Sequence, residues 1–255
     1  MILRRLSQSL KTQNWTAIWI EFILLVVGVF LGIQVANWNA SRADDVRASA
    51  YMVRLQSDFN TDLQTIQRSE EYWGKVINYG KQAIRYAETG EKVDGSAWKT
   101  VRAFYQASQV QQWFAVDATY QEMRSSGELG LIHDQTLRAA MSRYYSGTVS
   151  AAYLNSLIPE YRKIVRGLTP QVITDHIWTK CVHTPNRDEQ FLLDCDSPIS
   201  EAEAQAVLDG YLRDPKLLPE LRFWVANQGV ALLGIRNYIP ILRDLQARAD
   251  AEARP

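Results

Sequence analysis

The sequence predicts an all-α fold in which an N-terminal transmembrane helix continues into a helical bundle domain outside the membrane. Three observations predict it. The stretch from Phe22 to Ile33 is apolar throughout. The residues after it repeat apolar side chains at helical spacing, from Val46 and Val53 to Phe59 and Ile66. No segment shows a clear period of two, which a half-buried strand would require.

Composition alone is typical of a globular protein. Of 255 residues, 47% are hydrophobic, and 28 Lys and Arg balance 28 Asp and Glu. These values exclude a disordered, collagen-like or disulfide-dense chain. The balanced charge argues against nucleic acid as a partner, because phosphate binding needs a surplus of basic residues on one face. The balance is uneven along the chain, since the first 43 residues carry four basic side chains and one acidic one.

The apolar segment predicts a membrane span over residues 15–38. Residues 15–36 would form a helix of roughly 33 Å, which matches a hydrocarbon core of about 30 Å. Trp15 and Trp19 mark one end and Trp38 the other, where aromatic rings prefer the interface. A cleaved signal peptide fits less well, because the first suitable pair of small residues, Ser41 and Ala43, lies far beyond the apolar run.

The predicted orientation places residues 1–14 in the cytoplasm and residues 39–255 outside it, in the periplasm. Counts of Lys and Arg on the two sides of the span are tied, so the positive-inside rule does not decide alone. The short tail carries Arg4, Arg5 and Lys11 without an acidic residue. A cysteine pair in the large domain favours an oxidising compartment for that domain.

Small residues inside the span predict association between membrane helices. Gly28, Gly32 and Ala36 recur every four residues, which lets two helix backbones approach closely. Glu21 lies two turns before Gly28 on nearly the same face, where a carboxylate at membrane depth would seek a protein partner. Chance glycine placement and extension of Glu21 toward the near interface are the alternatives.

Beyond the span, the pattern predicts successive helices in one domain. A first helix continues over 39–88 with a bend near Gly74, and Pro159 kinks or divides a long helix over 133–166. We expect 168–199 to be irregular and Pro240 to disturb the last helix, which starts near Pro215. The remaining predicted helices cover 96–109, 117–125 and, opened by a capping box at Ser200, 200–214.

Cys181 and Cys195 are the two cysteines, and a disulfide between them is the favoured prediction. A metal site that uses Cys181, His183, Cys195 and His176 remains an alternative, as do free thiols. The chain carries no familiar nucleotide, hydrolase or zinc-protease motif, so we predict a protein that is not an enzyme and has no cofactor or metal. His133 is interpreted as a surface or helix-capping residue.

Two stretches resemble a bacterial family of single-span membrane proteins, domain of unknown function 6090. The first runs from Glu21 through Gly28 to Gln34 and the exit sequence Asn37-Trp38-Asn39. The second, from Thr119 to Ile132, is similar to the family pattern T-x-x-E-L-x-S-S-G-x-L-x-L-I, with Met123 in place of the first leucine. The resemblance implies a bacterial envelope protein and supplies no activity.

The second stretch also has a physical interpretation as a corner between two helices. A helix would end at Ser126-Gly127, where glycine suits a left-handed cap, and a tight connection would follow. The residues of this structural motif are Ser125, Ser126, Gly127, Leu129 and Leu131.

These features favour an inner-membrane scaffold or interaction protein of the bacterial envelope. Its expected partners are the lipid bilayer, a second copy bound through the transmembrane helix and an unidentified envelope protein. The alternative is an extracytoplasmic sensor of a small molecule, which would need a partner protein because residues 1–14 are too few for an output domain. An envelope metallohydrolase that uses the Cys/His region is the least favoured hypothesis.

Overall fold

The computed structural model describes residues 15–111, 113–155, 158–185 and 189–253, with backbone only for 149–155. The predicted all-α class is confirmed. The elements are α1 (Trp15–Thr89), α2 (Ala97–Ala107), α3 (Ala118–Ser126), α4 (Gln135–Asn155), α5 (Glu160–Leu168), α6 (Gln171–Lys180), β1 (Val182–His183), β2 (Phe191–Leu192), α7 (Glu201–Arg213), α8 (Leu217–Arg236) and α9 (Tyr238–Glu252). Short 3₁₀ turns cover Val93–Gly95 and Glu128–Leu131.

Helix α1 organises the molecule. It has 75 residues, which makes it about 110 Å long at 1.5 Å per residue. Nearly all of its side chains from Trp15 to Ala50 are exposed, whereas from Tyr51 onward one face is buried. The helix continues through Gly74 without interruption, so the expected bend does not break it.

The buried face of α1 follows a regular repeat of three and four residues. This spacing is the seam of a coiled coil, in which one stripe of a helix stays against its neighbours over many turns. We call these residues the inner seam; they are Met52, Leu55, Phe59, Asp62, Ile66, Ser69, Trp73, Val76, Gly80 and Ala83.

The other helices of the bundle pack on this seam. Helices α2, α8 and α9 make the most extensive contacts with α1, and α4 packs on α9, α5 on α8 and α7 on α2. Gly80 permits the close approach of α8, because a Cβ built there would lie 2.3 Å from Val225 Cγ2. Val46 and Val53 share the helical spacing of the core residues, yet they lie outside the bundle, 66% and 64% exposed.

Two helix starts are joined by one carboxylate. Ser200 forms the predicted capping box with Glu203, and Glu201 in the next position reaches the start of α2. There Glu201 accepts hydrogen bonds from the Ser96 hydroxyl at 2.6 Å and from the Ala97 amide at 2.5 Å. A carboxylate is favourable at a helix N-terminus because it satisfies free amides and the helix dipole.

The prolines divide the chain as predicted at two positions, and the sequence prediction differs from the structure at a third. Pro159 separates α4 from α5 and caps α5, which is one of the two expected outcomes. Pro240 disturbs the last predicted helix as expected: α8 ends at Arg236, and Pro240 lies inside the first turn of α9, where an amide has no intrahelical acceptor. The expectation of an irregular 168–199 is wrong for Gln171–Lys180, because Pro170 caps α6 there rather than excluding a helix.

The predicted helix corner at Ser126-Gly127 is present. Gly127 has φ +76°, and its amide donates to the Met123 carbonyl as a left-handed cap of α3. The 3₁₀ turn Glu128–Leu131 then leads toward α4, with Ile132 fully buried.

Gly127→Ala should destabilise the domain by about 1 kcal/mol, because the left-handed region is unfavourable for any residue with a Cβ. The matched control is Gly130→Ala, three residues on, where the backbone is not left-handed and a Cβ would meet nothing within 4 Å. Urea unfolding of the full chain in detergent checks this. Equal stability of the two variants would contradict the role given to Gly127.

Candidate functional site

Helix α1 is long and apolar enough at its N-terminal end to cross a membrane, and no residue of its most apolar window is buried. Gly28 and Gly32 lie in open space, since a Cβ at either would meet nothing within 4 Å. Ala36 is exposed and Glu21 partly exposed. The predicted association residues therefore lie on a surface that the described part of the chain does not cover.

This surface continues beyond the apolar segment. A second row of residues, also spaced by three and four, runs along α1 on the side away from the inner seam, separated from it by more than about 100° around the helix axis. We call it the outer stripe; its members, all exposed, are Gly28, Gly32, Ala36, Asn39, Ala43, Val46, Ala50 and Val53. Ala and Val in this pattern are typical of a helix–helix interface.

The helix corner holds α1 where it enters the bundle. The Tyr51 hydroxyl donates to Glu128 Oε2 at 2.6 Å, and Arg54 forms an ion pair with Glu122. Arg47 Nε lies 3.2 Å from Glu128 Oε1. The hydrogen bond and charge of Arg54 lower the pKa of Glu122, and the hydrogen bond to Glu128 raises the pKa of Tyr51.

These contacts give the predicted structural motif its place. Ser125 and Ser126 donate to carbonyls of their own helix, and Leu129 and Leu131 pack against the core. The glutamates that reach α1 were not singled out from the sequence. The sequence could have indicated them, because Glu122 and Glu128 both lie in the corner sequence, beside the serines and leucines that were chosen as the structural motif.

The C-terminal end of α9 reaches the same region. Gln56 Nε2 donates to Asp250 at 2.8 Å, and the His133 amide donates to Glu252 at 2.5 Å. The His133 side chain is 80% exposed. Together, the corner and α9 contact the first buried turns of α1, which overlap the end of the outer stripe but lie on another face of the helix.

A buried carboxylate interrupts the inner seam further along α1. Asp62 is fully buried, accepts from the Tyr144 hydroxyl at 2.7 Å and accepts from the Val116 amide at 2.8 Å. Burial raises the pKa of Asp62 to about 6, although both hydrogen bonds oppose the rise; Asp58 and Asp117 add to it. Burial and the Asp62 charge also raise the pKa of Tyr144 far above its ordinary range.

Asp62→Asn should gain stability relative to the natural protein as the pH rises. Because the pKa of Asp62 is raised in the folded state, the natural protein keeps its full free energy of unfolding below about pH 4. It loses up to about 3 kcal/mol of that free energy as the pH rises through about 6. The substituted carboxamide would retain both contacts by accepting from the Val116 amide and donating to the Tyr144 oxygen. Unfolding of both proteins at pH 4.5 and pH 8 measures the difference.

Tyr144→Phe is the matched control for that prediction. It removes a hydrogen bond that lowers the pKa of Asp62, so the pH at which stability is lost should move upward. A stability difference between Asp62→Asn and the natural protein that stays constant from pH 4.5 to pH 8 would show that Asp62 does not titrate in this range.

The two cysteines lie at bonding distance, with Cα atoms 5.1 Å apart. Their loop is held against α2, since Gln106 Nε2 donates to the Cys181 carbonyl and Trp98 Nε1 to the Cys195 carbonyl, both at 3.2 Å. Of the alternative metal ligands, the His176 ring and both sulfurs come within 4.8 Å of one another. His183 instead stacks on Phe191.

Comparison with known proteins gives no relative for this chain. No family model, no curated protein and no solved structure matches it. The geometry of the chain itself is therefore the basis of the function proposed below.

Proposed function

We propose that this protein is a non-enzymatic scaffold of the bacterial inner membrane, anchored by a single span and self-associating through the outer stripe of α1. The observation that carries the proposal is that α1 runs unbroken from the apolar segment into the core of the bundle. One face of this helix is covered by its own domain, and another is uncovered from Gly28 to Val53.

The proposed topology places residues 1–14 in the cytoplasm and the bundle in the periplasm. A bonded cysteine pair supports an oxidising compartment for the bundle. The tryptophans at 15, 19 and 38 support a span of residues 15–38, because they would lie at the two interfaces. Assignment to the bacterial envelope, and to domain of unknown function 6090, rests on the resemblance of the anchor and the corner sequence.

Insertion into the same membrane favours a parallel pairing of two copies. Two chains inserted with the same orientation present their outer stripes in the same direction, so equivalent residues can meet along the whole stripe. From Gly28 to Val53 the stripe extends about 38 Å at 1.5 Å per residue. Close packing of Gly and Ala would drive contact within the lipid, and burial of Val46 and Val53 would add a hydrophobic contribution in water.

The charges beside the stripe are compatible with this pairing. Arg47 and Arg54 flank Val46 and Val53, and each already forms an ion pair with the corner, through Glu128 and Glu122. Arg42 lies over the ring of its own Trp38, 5.8 Å from the ring centroid. Two of the three arginines therefore bring their own counter-charge to the interface.

Glu21 extends the interface toward the cytoplasmic end. Its Oε2 atom is shielded from solvent and has no hydrogen-bond partner among the described residues. Across a parallel pair, two such carboxyl groups on the same face can share a proton and hydrogen-bond to each other, which lowers the cost of a carboxylate at membrane depth.

Cysteines placed at Val46 or Val53 should crosslink two copies in native membranes under mild oxidation, because both positions belong to the outer stripe. The natural cysteines are already bonded to each other and do not compete. Ser41→Cys is the matched control, since Ser41 is exposed but lies on a different face of α1. Non-reducing gels measure the fraction of dimer.

Gly28→Ile with Gly32→Ile should abolish the Val46→Cys crosslink, because branched side chains would hold the two helices apart within the lipid. Val26→Ile with Phe30→Ile, on the opposite side of the span, should leave it intact. Equal crosslinking at Val46 and Ser41, or crosslinking unaffected by isoleucine at 28 and 32, would contradict self-association through this stripe.

The topology has its own test. Protease added to intact spheroplasts should remove the bundle and leave a fragment of the size of the anchor. A soluble cytoplasmic protein followed in the same cells is the control that the inner membrane stays sealed. Full protection of the bundle would reverse the proposed orientation while leaving the self-association proposal standing.

A sensor function is the second candidate, and the continuity of α1 is the observation that favours it. The same helix lines the bundle core and forms the proposed span. A ligand that repacks the inner seam would therefore move the anchor, which a partner protein would have to detect. Stabilisation of the purified chain by a small solute would support this candidate.

A further inference from the structure

We propose that Arg162 and Arg166 form a binding site for a small solute that carries a phosphate or carboxylate group. The site lies where α5 and α6 meet the C-terminal end of α2. It is independent of self-association, and it supplies the ligand class that the sensor candidate lacks.

The two guanidinium groups lie close together, and neither has an acidic partner among the described residues. They belong to residues four apart on α5, where like charges face each other and repel. Within the described part of the chain, no carboxylate lies within 4.0 Å of either group; the titratable neighbours that act on them are Tyr72 and Tyr105. Arg102, by contrast, is buried and lies 2.7 Å from Asp194, whereas Arg162 and Arg166 are partly buried.

The site is held in a fixed geometry by neutral groups. Arg166 donates through Nε to Ser108 Oγ at 3.0 Å and through Nη2 to Gln109 Oε1 at 2.8 Å. Arg162 donates through Nη1 to the Ser108 carbonyl at 2.6 Å. Ser108 and Gln109 are buried, and Gln109 is held in turn by Gln106. These contacts fix both guanidinium groups before any ligand arrives.

Aromatic rings complete the site. The guanidinium carbon of Arg166 lies 4.8 Å from the Tyr105 ring centroid and 5.3 Å from that of Trp178. The Trp178 indole donates to the Tyr105 hydroxyl at 3.1 Å, which fixes the two rings relative to each other. Trp178 is 40% exposed, so the site borders solvent.

The electrostatics favour an anion. Burial, together with the charge of Arg162, lowers the pKa of Arg166 to about 10, and burial lowers the pKa of Arg162. Nε and Nη2 of Arg162 and Nη1 of Arg166 have no hydrogen-bond partner among the described residues. An oxyanion placed between them would accept these donors and relieve the repulsion, and guanidinium groups match phosphate and carboxylate geometry.

The neutral contacts have a structural role as well. Ser108 caps the C-terminus of α2, and a cation is favourable at that end of a helix. One arginine is enough to stabilise the C-terminus of α2. This structural role therefore does not explain why a second guanidinium group lies beside the first.

The position of the site selects a soluble ligand rather than a lipid headgroup. Tyr72 of α1 is close enough to influence both arginines. It lies 34 residues beyond Trp38, which is about 50 Å from the proposed membrane surface at 1.5 Å per residue.

The test is thermal unfolding of the full chain in detergent, in sodium phosphate and in sodium chloride at equal ionic strength. Phosphate at ten times Kd should raise the Tm by about 3 °C or more beyond chloride. Arg162→Gln should lose this difference, because Gln keeps one donor for the Ser108 carbonyl but removes the charge. Arg222→Gln, which breaks the exposed ion pair with Glu88, should keep it.

An equal phosphate effect in the natural protein and in Arg162→Gln would overturn the proposal, since it would reflect general salt stabilisation. No phosphate effect in the natural protein would overturn it too. If Arg162→Gln does not fold, phosphate titration followed by fluorescence of the natural protein and of Trp178→Phe decides, and a response that does not depend on Trp178 counts against the site. The response should persist in the Gly28→Ile, Gly32→Ile variant, so failure of self-association would not imitate failure of this proposal.

Discussion

The structure depends on one helix that has to remain helical in two different surroundings. Helix α1 satisfies its own backbone hydrogen bonds along its whole length, which is the condition for crossing lipid. The same property lets it serve as the central element of the bundle without a linker. The other helices pack on the C-terminal part of α1, whose N-terminal part forms the proposed span. The position of the domain relative to the proposed membrane is therefore determined by a continuous helix and not by a flexible connection.

Two polar features lie along the buried part of this helix. Asp62 lies in the inner seam with a raised pKa, and the paired arginines lie across from Tyr72 about three turns later. Apolar residues would pack at such positions without a desolvation cost. Asp62 accepts hydrogen bonds from two internal donors, whereas the acceptors that the arginines meet in the described part of the chain are all neutral. This difference distinguishes a buried structural acid from an incomplete binding site.

The contacts that hold α1 in its domain lie on a different face of the helix from the proposed interface. The corner and the end of α9 surround the helix at its entry into the bundle, and their ion pairs use residues next to the outer stripe. Folding of the domain therefore fixes the rotation of the exposed part of α1 about the helix axis. An interface between two copies would then be determined jointly by lipid packing in the span and by the orientation that the bundle imposes on Val46 and Val53.

Local features were predicted well. The capping box at Ser200 and the left-handed cap at Gly127 depend on residues that are close in sequence. The pairing of Cys181 with Cys195 was predictable because the chain has two cysteines. The irregular structure expected over 168–199 was wrong for Gln171–Lys180, because proline excludes a helix interior but not a helix start. Whether a given proline begins or ends a helix depends on what the helix packs against.

The sequence by itself determined the helical class, the apolar segment and its small residues, because these follow from composition and from a period along one chain. Only the tertiary structure decided which of two stripes on α1 is buried. Val46 and Val53 have the same spacing as the core residues, and nothing local shows that burial begins at Tyr51 and on another face of the helix. The arginine pair was equally hidden, since the described groups that surround it come from α2, α5 and α6 together. Burial and charge balance depend on neighbours distant in sequence, and packing alone brings those neighbours together.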